Sequence, residues 1–589
     1  MATTLPKVDA LLVGFGWTGA IMAQELTEAG LNVLAIERGE WRDTPTDFAT
    51  TFAQDELRYY WRRELFQRLN HDTLTIRNNT TQTALPMRDM GSFLPGSGVG
   101  GAGLHWNGQV WRFAPSDFLQ RSHNIERYGK SVIPDGMTIQ DYGVTYEELE
   151  PHFDKFEYLC GISGTAGNIK GVIQPGGDPF EGPRARPYPN PALDMPYAPM
   201  LFAKAAAELG HHPFPDPSAN MSRAYTNPLG VELGPCTYCG FCEKFGCGNY
   251  SKATPQTTIL PVLLRKPNFT LKTETEVLKI NLAPDGKTAT GVTYIDAAGV
   301  QYDQPAEMVI LSAYILSNVR LMLLSGIGKP YDPMTGEGMI GKNYAYQMNS
   351  TVNVFFEDKI LNPFVGAGAL GMVINDFNAD NFDHAGLGFI GGGYIASMQT
   401  GARPIETHPV PTGTPTWGGA WKKAVAKNYL RTTQIATQGA VTSQRGNYLD
   451  LDPTYKDVYG RPLLRMTFDF SENEHRMSDY LTDRSAEIAK AMNPREIKIN
   501  RRVGSWDVVP YQSTHNTGGA IMGSDPKSSA LNKYLQSWDV ANVFVMGATA
   551  FPQNAGLNPT GTVAALAYHS ADAIKNQYLK AVGQPMVQA

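Results

Sequence analysis

The sequence predicts an α/β protein with a Rossmann-like dinucleotide-binding unit at its N-terminus and a second, sheet-based unit. Three observations predict this. A short apolar run, VDALLV (8–13), ends at the glycine-rich GFGWTG (14–19). A helix-like stretch and a second apolar run ending in Glu37 follow at once. Two further glycine-rich segments recur hundreds of residues apart, near 96–113 and 547–561.

The 589 residues suffice for two or more cores. Apolar residues make up 42% and charged residues 18%, as in folded globular chains. The net charge of −6 gives no reason to expect nucleic acid as a partner. No stretch reaches the 18 apolar residues of a membrane span. The N-terminus shows no signal peptide and runs straight into the first strand.

VDALLV reads as a buried parallel strand. In GFGWTG, Gly14 permits the tight turn, Gly16 lets backbone approach a pyrophosphate, and Gly19 lets helix and sheet close up. Residues 20–30 read as the helix whose N-terminus faces the phosphates. The second strand, VLAIE (33–37), ends in Glu37, whose carboxylate is placed to accept ribose hydroxyls. The nucleotide reading is FAD rather than NAD, because the recurring glycine-rich segments suit a large embedded cofactor. GSGVGGAGLHWNGQVWRF (96–113) has too few side chains to pack a core and reads as a loop against a flat ligand. VFVMGATAFP (543–552) and QNAGLNPTG (553–561) return the chain to the same unit before a helix from about Thr562.

His515, in YQSTHNTGGAIMG (511–523), and Asn558, in GLNPTG, carry the candidate chemistry. A histidine beside a flavin can take an alcohol's proton while hydride leaves for the ring. An asparagine can hold the same oxygen. Equally, His515 suits a cap or packing position, and Asn558 a turn before proline.

Four of the five cysteines fall within twelve residues, as Cys236, Cys239, Cys242 and Cys247. Such a run suits soft-metal ligation. Compact iron–sulfur runs have this spacing, whereas structural zinc sites present two separated pairs; zinc, disulfides and free thiols all stay open. Cys160 reads as a buried apolar residue.

VGFGWTGA with Glu37, GVGGAGLHWNGQ, VILSAYILSNVRLMLLSGIG (309–328), GKNYAYQ (341–347) and the His515 and Asn558 regions resemble, in this order, the glucose–methanol–choline (GMC) oxidoreductase family. The likeness covers nearly the whole chain. One departure is bulky Tyr314, where members carry the glycine of an A-G pair; it is expected to alter packing against the cofactor. Within the family the chain is similar to the large flavoprotein subunits of bacterial membrane-bound sugar and sugar-acid dehydrogenases. The resemblance implies the GMC oxidoreductase fold and an FAD-dependent oxidation of gluconate at C2. 2-Ketogluconate, sorbitol, fructose and glucose are the alternative substrates. It implies His515 as base and Asn558 as its partner. The implied cofactor contacts are Gly14, Gly16, Gly19, Glu37, Gly101, His105, Trp106, Asn107, Gly547, Ala548, Asn558, Pro559 and Thr560, with FAD held covalently through His105.

The resemblance also implies an iron–sulfur cluster on the cysteine run, [3Fe-4S] rather than [4Fe-4S], with Cys239 as the extra thiol. A one-electron cluster beside a two-electron flavin argues for a dehydrogenase over an oxidase. The implied partners are a small subunit exported by a twin-arginine signal and a membrane-anchored multihaem cytochrome c. The implied location is the periplasmic face of the inner membrane. The expected FAD unit comprises 1–110, 220–350 and 505–589, with the cluster segment 234–250. The substrate and partner unit comprises 111–219 and 351–504. Residues 355–440 read as long loops, with His408 structural, and 161–235 as loop-like. Arg445, Arg501 and Arg502 are the cations considered for a substrate carboxylate.

Overall fold

The computed structural model describes residues 3–48, 65–69, 73–88, 93–403, 407–510 and 513–587. Tyr511 and Gln512 of the His515 segment, and residues 404–406 of the 355–440 region, lie outside the described residues.

The first run forms β1 (Val8–Val13), whose last four residues are buried, as expected of a strand covered on both faces. A turn at Gly14–Gly16 leads into α1 (Trp17–Glu28), and β2 (Val33–Ile36) follows. The chain returns to this sheet much later, as β3 (Phe269–Lys272), β4 (Glu276–Leu282), β5 (Ala289–Ile295) and β6 (Gln301–Leu311). The spatial order is β3-β2-β1-β6-β5-β4. β3, β2, β1 and the second half of β6 are parallel, while β5 pairs antiparallel with β4 and with the first half of β6. The strand Val543–Val545 lies parallel to Val309–Leu311 and brings the C-terminus into the same sheet. The helix Thr560–Asn576 then packs on α1 and on the helix Tyr146–Cys160. Cys160 is fully buried there. After β6, Tyr314 leads into α2 (Ile315–Ser325).

A second sheet, six-stranded among the described residues, contains β7 (Met348–Phe355), β8 (Gly371–Ile374), β9 (Gly393–Met398), β10 (Thr432–Gly439) and β11 (Glu496–Asn500). Its order is β11-β7-β10-β9-β8, closed by the short strand Phe214–Pro215. One face packs against α3 (Glu472–Ala491) through Val352, Ile435, Met477 and Leu481. The expectation of long loops over 355–440 is therefore corrected: β8, β9, β10 and the helix Gly418–Asn428 lie there. Strands such as GYIASM and TTQIATQG carry glycine, alanine and glutamine where a sequence reading looks for strict apolar alternation. Likewise 161–235 contains the helix Tyr197–Glu208. No helix among the described residues is long and apolar enough to cross a membrane.

Candidate active site

The nucleotide cradle follows from three close approaches. Gly14 has φ +94°, and a Cβ there would stand 2.7 Å from Ala313 Cα. A Cβ on Gly19 would stand 2.3 Å from Gly14 O, so only glycine lets α1 close on the turn. Gly101 packs in the same way on Gly16, where a Cβ would come within 3.2 Å of Gly16 Cα. Gly16 caps α1 without a side-chain hydrogen bond, so the helix N-terminus keeps its amides for an anion. Glu37 accepts the Phe15 amide (2.9 Å) and the Gly39 amide (2.8 Å). These bonds hold its carboxyl at the end of β2 against burial, which pushes its pKa up.

From Gly14 and Glu37 a cavity of about 790 Å³ runs past Gly101, His105, Trp106 and Asn107 to Gly547, Ala548, His515, Asn558, Pro559 and Thr560. That volume is in the range of cofactor sites. Gly19 does not line it; its part is the helix–turn contact. His105 is buried with Nε2 unpartnered on the cavity wall, and the Phe66 ring meets it edge-on at 4.5 Å. Burial, then the charge of Lys252, lowers its pKa to about 3, so the imidazole is neutral. A neutral ring nitrogen without a partner, in a cleft floored by glycines, fits a flavin edge. Tyr314 takes φ +71° just before α2. Its hydroxyl donates to Thr514 O (2.9 Å) and accepts from Asn516 Nδ2 (2.6 Å), so the departure from the family braces the loop beside His515.

His515 and Asn558 meet at the far end. Asn558 Nδ2 lies 3.3 Å from His515 Nε2 and donates to Gln109 Oε1 (3.1 Å), while Asn558 Oδ1 accepts from Gln438 Nε2 (3.1 Å). The amide is thereby oriented with its NH2 toward the histidine. His515 Nδ1 lies 2.5 Å from Gln347 Oε1, an acceptor only, so Nδ1 carries the proton and Nε2 a lone pair. Burial lowers the His515 pKa to about 3. A neutral imidazole with its lone pair at the cavity can accept a proton from a bound alcohol.

Sequence reasoning missed Gln347, Gln109 and Gln438. It also missed the floor opposite. The second sheet turns Asn349, Thr351, Tyr394, Met398, Gln434, Ala436, Gln438 and Asn500 to the cavity. The period-2 pattern of Gln434, Ala436 and Gln438 was the available signal. Amides and hydroxyls dominate this face, as the recognition of a polyol requires.

The three arginines differ. Arg445 donates to Pro333 O and Met334 O on the surface. Arg501 pairs with Asp479 and Asp483. Arg502 is half-buried, lines the cavity, and makes no hydrogen bond or ion pair among the described residues. His408 stacks edge-on to Trp421 and does not line the cavity.

Asn220 and Lys252 tie Cys236, Cys242 and Cys247 together behind His105–Asn107, while Cys239 bridges to Gly366. Asn220 Nδ2 reaches Cys242 Sγ (3.2 Å) and Cys236 Sγ (3.9 Å). The Tyr238 amide donates to Cys236 Sγ (3.4 Å) and the Lys252 amide to Cys247 Sγ (3.3 Å). Burial and then the neighbouring thiols push Cys236 up to about 12; Cys239, pushed to about 11, has the same causes. Among the described residues no group of three or more His, Cys, Asp or Glu side chains stands ready to hold a metal ion. The soft donors and the amides turned to sulfur are present; a closed ligand shell is not. Two bonds tie this loop to the cavity wall. The Lys244 amide donates to His105 O (2.7 Å), and fully buried Lys252 donates through Nζ to Trp106 O (2.9 Å), Cys242 O (2.8 Å) and Phe245 O (2.8 Å).

Comparisons with known proteins identify the family. Family models described as GMC oxidoreductase match residues 218–349 and 442–567. A gluconate 2-dehydrogenase flavoprotein of Pantoea cypripedii is 53% identical over 596 residues, covering 100% of this chain and 97% of that protein. A 2-methyl-1,2-propanediol dehydrogenase of Mycolicibacterium austroafricanum is 26% identical, covering 99% of this chain and 98% of that protein. The fructose dehydrogenase large subunit of Gluconobacter japonicus is 24% identical, covering 98% of this chain and 99% of that one. Formate oxidase of Aspergillus oryzae superposes with a TM-score of 0.60 at 14% identity, over 98% of this chain and 100% of that one, which shows the fold. The chain belongs to the GMC oxidoreductase family and is an FAD-dependent oxidoreductase acting on CH–OH donors.

Proposed function

We propose that the chain is the catalytic flavoprotein of a dehydrogenase that oxidises gluconate at C2 to 2-ketogluconate. The observation that carries this reading is the full-length 53% identity to a protein named for that substrate, with His515 and Asn558 paired on the cavity wall. In this reading His515 Nε2 accepts the C2 hydroxyl proton. Asn558 Nδ2 donates to the same oxygen and orients it. The bound flavin supplies the hydride acceptor. Gly14, Gly16 and α1 would hold its pyrophosphate, Glu37 its ribose, and His105 would carry the covalent link. Arg502 is the cation left over for the substrate carboxylate.

The cysteine loop would hold an iron–sulfur cluster, [3Fe-4S] favoured. Such a cluster passes one electron at a time, which suits a haem acceptor. The bonds of Lys244 and Lys252 to the His105–Trp106 backbone support a loop placed to receive electrons from the flavin. A multihaem cytochrome c anchored in the membrane would take them on, toward quinone. Export with a small twin-arginine subunit would place the chain at the periplasmic face of the inner membrane. A second reading, oxidation of a neutral polyol such as sorbitol, is favoured by the floor of amides and hydroxyls.

The test is a dye-coupled assay over gluconate, 2-ketogluconate, sorbitol, fructose and glucose, with low-temperature EPR and an iron count on the same sample. Gluconate as best substrate, with an EPR signal that vanishes on reduction, is expected. No gluconate turnover overturns the substrate; no iron overturns the cluster. Acid precipitation that leaves the flavin in solution overturns the covalent link.

A further inference from the structure

Gln347 is fully buried, at 0% exposure, just ahead of β7. Its two ends face different chemistry. Oε1 meets His515 Nδ1 at 2.5 Å. Nε2 donates to Ala555 O (2.9 Å), Leu557 O (3.0 Å) and Asn554 Oδ1 (3.2 Å). The orientation of this amide is thus dictated. Flipping it would set its oxygen against three oxygens and leave its NH2 facing an imidazole N–H. The loop that clamps Nε2 also carries Asn558, and Asn554 Nδ2 donates to His515 O (2.6 Å). Ring, clamp and partner amide form one unit, so the ring can neither rotate nor exchange its proton between nitrogens without breaking it.

We propose that Gln347 is the positioning residue that fixes His515 as the Nδ1-protonated tautomer and keeps it a neutral base. A neutral amide holds the ring without favouring the imidazolium. A carboxylate in the same place would orient the ring but also stabilise its protonated form. The consequence is a base that takes the alcohol proton as hydride leaves and gives that proton up again between turnovers. Proton and hydride balance the two-electron oxidation: the O–H proton goes to Nε2, and the C–H hydrogen leaves with its electron pair to the flavin. The proposal rests on His515 being the base.

The test compares Gln347→Glu and Gln347→Leu with wild-type holoenzyme by stopped-flow flavin reduction with D-gluconate, or with the polyol that the wild type oxidises fastest. Gln347→Glu is expected to move the acid limb of the pH–rate profile to proton concentrations about tenfold to a thousandfold lower. Gln347→Leu is expected to lower the limiting rate by about a hundredfold or more, with substrate affinity within about threefold. Wild-type rate and pH profile in both variants would overturn the proposal. His515→Ala separates the two claims: unchanged flavin reduction in that variant overturns the base itself. Should neither Gln347 variant retain flavin, nitrogen NMR of ¹⁵N-histidine wild-type enzyme decides. A pyridine-type Nδ1 in His515 would overturn the proposal, and a pyridine-type Nε2 is the expected result.

Discussion

Gly368 stands where three segments meet, and Gly368→Ala probes whether they are locked together. Its Cα lies between the backbone of Asn107 and the side chain of Cys242. A Cβ there would fall 2.0 Å from Asn107 O and 3.2 Å from Cys242 Cβ. Its φ lies outside the left-handed region, so the cost is steric alone. Relieving a 2.0 Å contact needs a movement of more than an ångström. Overpacking of this kind costs about 1–3 kcal/mol. Because Asn107 lines the cavity and Cys242 lies in the cysteine loop, relief separates the two sites. A displacement of about 1 Å in an aligned site can cost a hundredfold in rate. The assay measures the two half-reactions apart: flavin bleaching by substrate, and reoxidation of the reduced enzyme by a one-electron dye. Substrate reduction is expected within about threefold of wild type, with electron exit slowed about tenfold or more and a lowered melting midpoint. Unchanged stability and unchanged half-reactions would refute the steric lock. Slowed reduction with normal electron exit would refute the role given to the cysteine loop.

Arg502→Gln should raise the KM for gluconate by about ten- to a hundredfold, the worth of one charge-assisted hydrogen bond, and leave sorbitol unaffected; equal effects on both substrates count against Arg502 as the carboxylate contact. Because burial lowers the His515 pKa to about 3, flavin reduction should show no loss through His515 protonation between pH 8 and pH 5; a limb centred near the ordinary histidine value of ~6.5 contradicts this. His569, lowered to about 4 by burial first and the nearby His152 second, is protonated more readily in the unfolded chain than in the folded one. The stability it contributes is present above ~6.5 and is lost as pH falls toward the folded value. His569→Gln should therefore narrow the gap in unfolding free energy between pH 7 and pH 4.5 by about 1–2 kcal/mol, read from urea unfolding at both pH values. An unchanged gap counts against a buried neutral ring.

Much of the candidate site was legible because its signals are local. GFGWTG works through contacts within one turn: Gly19 meets Gly14 five residues earlier. The cysteine run places four soft donors in a dozen residues, whatever surrounds them. His515 and Asn558 were legible through family resemblance, since nothing in their own neighbourhoods joins them. Gln347 lay inside a recognised segment, GKNYAYQ, yet had no assignable role. Its two ends bond to residues 168 and more positions away. Gln438 reaches Asn558 only because β10 pairs with β7 in the register Met348–Gly439, which turns Gln438 to the cavity. The strands of 355–440 were unreadable for the same reason. They are sheet members through their partners, and glycine, alanine and glutamine carry little strand signal of their own.

The sequence by itself determined the α/β class, the nucleotide turn, the acid that ends β2, the cluster of thiols and the family. These depend on residues close in the chain, whose geometry the backbone fixes nearly alone. Only the tertiary structure decided which nitrogen of His515 faces the cavity, that of the three arginines considered Arg502 makes no hydrogen bond or ion pair among the described residues, and that Lys252 joins the cysteine loop to the cavity wall. Each of those depends on which distant strands and loops supply the partner, and burial makes that partner decisive: an unpaired polar group inside costs kilocalories, so long-range pairing rather than residue type sets its state.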